Sequence, residues 1–169
     1  MKKDLIVNSL IVMFVGVVVV AAVVSAATQD ITASVRGENV SVTVTDASVD
    51  FGILGASTTK TTNQLSPDDT QFVVNTGNVA SVFNVKATSS QPGWDITTDG
   101  VLNADNEFDF KWATDGGTLW TRFGYDYGVL ATGVAALATT NTDLQIITPT
   151  TITDYASQSI TVTVQVTTP

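Results

Sequence analysis

The 169-residue chain contains no cysteine and no histidine. Without cysteine there are no disulfides and no thiolate nucleophile. Without histidine the commonest general base is missing, and the usual zinc ligands go with the pair. Positive charge is also scarce: seven lysines and arginines stand against 16 acidic residues, a net charge of −9. Nucleic acid and anionic lipid surfaces both require a basic footprint, so nucleic acid is not an expected partner. Charged residues make up only 14% of the chain, and no run of like charge occurs. No cofactor motif is present, and no cofactor is expected. An exported domain without disulfides must rely on its apolar core or on neighbouring subunits.

The chain opens on a long apolar run. The twenty residues from Leu5 to Val24 carry no charge, and as a helix they would span about 30 Å, the thickness of a bilayer core. Two fates follow. Lys2 and Lys3 ahead of the run, with Val24-Ser25-Ala26 or Ser25-Ala26-Ala27 behind it, fit a secretory signal and its cleavage site. If retained, the run must sit in lipid or bundle with copies of itself, with Leu5, Leu10, Met13, Phe14, Val17, Val20 and Val24 as the candidate assembly core. The expected organisation is a hydrophobic helix over residues 1–27 and a β-domain over 28–169.

Beyond residue 27 threonine, valine and serine dominate, with glycines spaced among them, a composition of strands and turns. Period-two alternation predicts strands at Asp30–Arg36, Asn39–Thr45 and Ser48–Leu54. A hairpin is expected about Asn75-Thr76-Gly77-Asn78, joining Gln71–Val74 to Ser81–Ala87 with Phe83 and Val85 inward. Trp94–Thr97 reads as a short strand. In Glu107–Trp112, Phe108, Phe110 and Trp112 share one face, and Thr118–Tyr127 would pair with it across Asp115-Gly116-Gly117. Gly128–Thr142 is weakly patterned and reads as a loop or helical turn, whereas Asp143–Thr148 and Ser159–Thr167 close the domain as strands. Nine or ten strands suit an all-β, two-sheet sandwich of immunoglobulin-like or jelly-roll type preceded by the N-terminal helix.

Few residues suggest chemistry. Ser57-Thr58-Thr59-Lys60 matches a Ser-x-x-Lys motif but lies in a threonine-rich connection and lacks the partner motifs, so no catalytic residue is expected and the chain reads as a non-enzyme. Asp105, Glu107 and Asp109 are candidate oxygen ligands for calcium, set against the plainer reading of a solvated strand face opposite Phe108 and Phe110. Aromatic rings about Trp120–Tyr127 could stack on sugars, although packing between sheets is the commoner use of such rings. Asn39-Val40-Ser41 is the one glycosylation sequon. The cleanest strand pattern belongs to Ile160, Val162, Val164 and Val166, a strand that either closes its own domain or is donated to a neighbour.

Two stretches, "FVVNTGNVASVFNVKATSS" (Phe72–Ser90) and "DYASQSITVTVQVTTP" (Asp154–Pro169), resemble segments of secreted surface proteins and fibre subunits in the broad TasA/camelysin and immunoglobulin-like class. The layout of one apolar N-terminal helix followed by a threonine-rich, cysteine-free sandwich is similar to that of archaeal type IV pilins and archaellins. That resemblance implies helices in a filament core and sandwiches in an outer sheath. The expectation is an extracellular or cell-surface structural subunit that polymerises with itself, meets the membrane during export or before assembly, and contacts surface glycans. The alternative is a secreted monomeric module that binds carbohydrate or calcium after loss of the leader.

Overall fold

In the computed structural model, residues 32–89 and 93–169 are described, and their regular structure is ten strands with one 3-10 turn at Thr62–Gln64. The strands are β1 (Val42–Thr45), β2 (Thr59–Thr61), β3 (Gln71–Asn75), β4 (Ser81–Ser89), β5 (Asp95–Ile96), β6 (Glu107–Ala113), β7 (Thr121–Arg122), β8 (Gly128–Val134), β9 (Thr139–Ile147) and β10 (Ile160–Thr167). The chain divides into two units, residues 1–35 and 36–169. Of the first only residues 32–35 are described, and they are exposed and outside any strand. The expected N-terminal helix and its candidate core positions, Leu5 to Val24, lie outside the described residues. Among the described residues no helix is long and apolar enough to cross a membrane.

Two sheets make up the second unit. The larger runs β1-β3-β9-β6-β5, with β2 also on β9 and β7 also on β6; the smaller runs β10-β4-β8. All pairs are antiparallel except β5 with β6. Alternation explains the shared core. Phe83, Val85 and Ala87 of β4 and Leu130 and Val134 of β8 meet Val73, Ile96, Phe108, Phe110, Trp112, Leu144 and Ile146 of the larger sheet. Phe110 stacks on Phe123 at 5.1 Å between ring centroids, and Phe51 meets Phe110 edge-on at 6.4 Å. Such pairs add about 0.5–1.5 kcal/mol beyond their buried area.

The structure departs from the sequence expectation in six places, each with a physical reason. The threonine-rich connection that contains Ser57–Lys60 holds β2, whose three residues are too few to show a period and which is set by pairing with β9. The segment about Asn75-Thr76-Gly77-Asn78 is a crossover between sheets and not a hairpin, since β3 pairs with β1 and β9 while β4 pairs with β10 and β8. The buried Asn75 side chain holds it: Nδ2 donates to the carbonyls of Val79 and Val134, and Oδ1 accepts from the Gly77 amide. Ser48–Leu54 is not a strand, because the Asp50 carboxylate accepts the Gly52 amide at 2.8 Å and Gly52 turns to φ +72°. Thr32–Arg36, the described part of another expected strand, has no partner strand. Gly128–Thr142 holds β8 and the first part of β9. Only Leu130 and Val134 of β8 are fully buried, which leaves little apolar periodicity to read. Within Thr118–Tyr127 only Thr121–Arg122 pairs with β6, because Asp115 draws the amides of Thr118 and Leu119 into a turn.

Candidate functional site

The smaller sheet is too narrow to cover the larger one. Beyond β10 the inner face of β6 and β9 is roofed by two coil segments, residues 47–56 and 152–159, and between them opens a cleft of about 910 Å³. Its floor is Trp94, Phe108, Phe110, Leu144 and Ile146, and one side is the first turn of β10, Ile160 and Val162. A second void of about 100 Å³ shares Ala47, Gln71, Leu144 and Val162 with the cleft and continues inward to Val85 and Val164.

Unequal moorings hold the two walls. Asn106, at φ +61°, anchors the far wall: its Oδ1 accepts the amides of Thr153 and Asp154, its Nδ2 donates to Thr153 Oγ1, and its own amide donates to Thr151. Trp94 Nε1 donates to the Asp154 carbonyl at 3.0 Å. The near wall is fixed only at its ends, by Gln71 to Ala47 and Ser48 and by Thr148 to Gly55 and Thr58. Between these ends Val49, Phe51 and Leu54 pack on the core while Asp50, Gly52 and Ile53 face outward. Ile53 and Tyr155, one on each wall, are almost fully exposed, and Asp50 and Asp154 place negative charge at the rim. Two buried side-chain oxygens among the described residues lack a hydrogen-bond partner: Gln158 Oε1 at the cleft and Thr142 Oγ1 at the inner void.

β10 borders this cleft as an edge strand. Its register with β4 sets Ile160, Val162, Val164 and Val166 opposite Ser89, Ala87, Val85 and Phe83. The β4 side chains Phe83, Val85 and Ala87 are buried, whereas the β10 row is only half-buried. Among the described residues β10 has no second hydrogen-bonded neighbour. An unpaired edge beside an apolar floor is the arrangement that accepts an additional strand.

The remaining sequence candidates lie elsewhere. Asp109 is buried, at 2% exposure, and does not belong to a solvated face: Arg122 Nε and Nη2 hold its two oxygens at 2.7 and 2.9 Å, and Lys111 Nζ lies at 3.1 Å. Burial opposes its ionisation, yet the Arg122 and Lys111 contacts outweigh that and hold its carboxyl below the ordinary range. The same pairing raises the Arg122 guanidinium. Glu107 Oε2 accepts the amides of Asn103 and Ala104, and Asp105 is exposed. Among the described residues no three acidic side chains are grouped to hold a metal ion. Trp94, Trp112 and Phe123 are buried in the core, leaving Tyr125 and Tyr127 as the exposed rings of the aromatic stretch, with Lys86 Nζ 4.8 Å from the Tyr127 ring. Lys60 is in β2 and Ser57 precedes it in coil, so the Ser-x-x-Lys pair is not on a helix. Asn39 is exposed on the segment leading into β1.

β10 was legible in its alternation. The cleft was not, because segments about a hundred residues apart build its walls. Comparison with protein-family models, curated proteins and solved structures finds no match.

Proposed function

We propose that this protein is a non-enzymatic structural subunit of an extracellular filament or cell-surface assembly, in which the β-domain forms the outer layer and the apolar N-terminal run forms the core or the membrane anchor. The immunoglobulin-like or jelly-roll character of the sandwich and the pilin-like layout belong to the same proposal. The observation that carries it is the edge of β10, which has no second hydrogen-bonded neighbour among the described residues, beside an open cleft with an apolar floor. The uncharged run Leu5–Val24 supports it independently, since a retained run of that length needs lipid or its own copies around it. Electron microscopy of the purified exported protein tests the reading, with filaments expected and monodisperse particles at high concentration overturning it. Intact mass separates the fates of the leader: loss of the first 26 or 27 residues removes the helical core from the proposal and leaves the β-domain to assemble alone.

A second reading, a secreted binding module for carbohydrate or calcium, draws its support from the exposed rings of Tyr125 and Tyr127. Glycan binding by monomers, lost on Tyr125→Ala, would favour it.

A further inference from the structure

Residues 32–40 are exposed and belong to no strand, although Ala33 and Val35 alternate with Thr32, Ser34 and Arg36 as a half-buried strand would, and the sequence extends the apolar side to Ile31. Val35 is fully exposed. Arg36 is also the one cation among the described residues with no partner: Lys111 and Arg122 hold Asp109, Lys86 covers Tyr127, and Lys60 donates to the Gln64 carbonyl.

Where this arm is rooted decides which cleft it can reach. The Asn39 amide donates to Asn78 Oδ1, the Asn78 amide donates to the Asn39 carbonyl, and Asn78 Nδ2 donates to the Gly37 carbonyl. The root therefore sits at the crossover that precedes Ser81, the first residue of β4. The cleft lies toward the other end of that strand, where Ile160 and Val162 oppose Ser89 and Ala87. From Ser81 to Ala87 is about 20 Å of strand, while Val35 is only about 7 Å of extended chain from Gly37. The arm is too short to place Val35 in its own cleft.

Building on the filament reading above, we infer that the Thr32–Arg36 arm of one copy lies along the free edge of β10 in the next copy, adding a fourth strand to the smaller sheet. Ala33 and Val35 then cover the aromatic floor, main-chain groups of the arm pair with those of β10, and Arg36 meets the acidic rim at Asp50 and Asp154. The root at Gly37–Asn39 and the cleft lie toward opposite ends of β4, so the contact joins two different surfaces, is heterologous, and propagates instead of closing on a pair.

The absence of cysteine makes crosslinking selective. Val35→Cys and Ile160→Cys are prepared as separate exported proteins, mixed, assembled and oxidised, with Ile53→Cys as a second cleft position whose exposed side chain cannot disturb folding. Covalent dimers joining the two substituted positions are expected from either mixture. A control mixture with Leu137→Cys, exposed at the root end of the domain, should give none. Of Ala33→Pro and Ser34→Pro, the one whose amide faces β10 should raise the concentration needed for assembly roughly tenfold without lowering the melting temperature, because only alternate amides of an edge strand face its neighbour and proline there removes a ladder donor from an arm that the subunit itself does not use. Filaments that form without these crosslinks overturn strand donation and leave the filament reading standing. A Val35→Cys, Ile160→Cys double variant that crosslinks within a monomer overturns it as well. Absence of filaments in the unsubstituted protein overturns the parent reading.

Discussion

The balance of forces at a single residue is clearest at Asp109. Its side chain is almost wholly buried in a chain with few cations, and two of those cations are spent on it. The Arg122 guanidinium also packs against Gly100, at φ +83°, where a β-carbon would overlap Nη2. Arg122→Ala is therefore expected to cost about 3 kcal/mol, near the lower end for breaking a buried pair because Lys111 remains and Arg122 is itself partly exposed. Urea unfolding measures it. The pH dependence follows from the direction of the shift. A carboxyl whose folded pKa lies below its unfolded value stabilises above the unfolded value, and that contribution is lost as pH falls through the folded one. Asp99 and Asp115, lowered chiefly by the main-chain amides of Val101 and Leu119, act in the same sense at the surface, whereas Asp69, raised by burial and by Asp46, acts in the opposite sense. The melting temperature should fall steeply below about pH 4. In Asp109→Asn it should start lower at neutral pH and fall less between pH 4 and pH 2; an unchanged acid limb would show that Asp109 does not carry it.

Among the elements, the crossover at residues 75–78 controls most of the topology. It sends the chain from the larger sheet to the smaller and pins the segment leading into β1. A methyl group at Gly77 would overlap the Asn39 carbonyl and crowd the Ser41 amide, both main-chain atoms that cannot rotate away. Gly77→Ala should cost about 1–3 kcal/mol and loosen the β1 edge first. Hydrogen exchange at Val42–Thr45 would then accelerate before that of β4, and uniform acceleration would count against this local mechanism. The same crossover marks how far the sequence could be read. Strand positions were legible where an apolar row alternates with a polar one, as in β4, β6 and β10. The partners of β3 and β4 were not, because Asn-Thr-Gly-Asn suits a hairpin as well as a crossover, and the buried Asn75 bonds to Val134 that settle the matter are long-range. Ser48–Leu54 carries a strand pattern, but the Asp50–Gly52 turn interrupts it and leaves one cleft wall as coil. Of the candidate site, β10 was therefore readable and the cleft was not.

For the whole molecule, the relevant balance is between a few short-range contacts and the self-repulsion of an acidic surface. Each copy carries a net charge of −9, so successive subunits brought end to end repel over a range set by the ionic strength, roughly 30 Å at 10 mM salt and about 8 Å at 150 mM. The proposed arm contact has the opposite character: apolar side chains on the cleft floor and main-chain pairing along β10 are nearly insensitive to salt, and the Arg36 contact with the acidic rim is one pair whose loss to screening is worth at most about 1 kcal/mol. Screening therefore removes more repulsion than attraction, and the concentration needed for assembly should fall as salt rises from 10 to 150 mM. Light scattering against protein concentration at the two ionic strengths measures it. Arg36→Gln should weaken assembly at 10 mM salt and matter less at 150 mM. A concentration threshold that rises with salt in the unsubstituted protein would mean that ionic pairing dominates the contact and that the apolar cleft is not its main source of affinity.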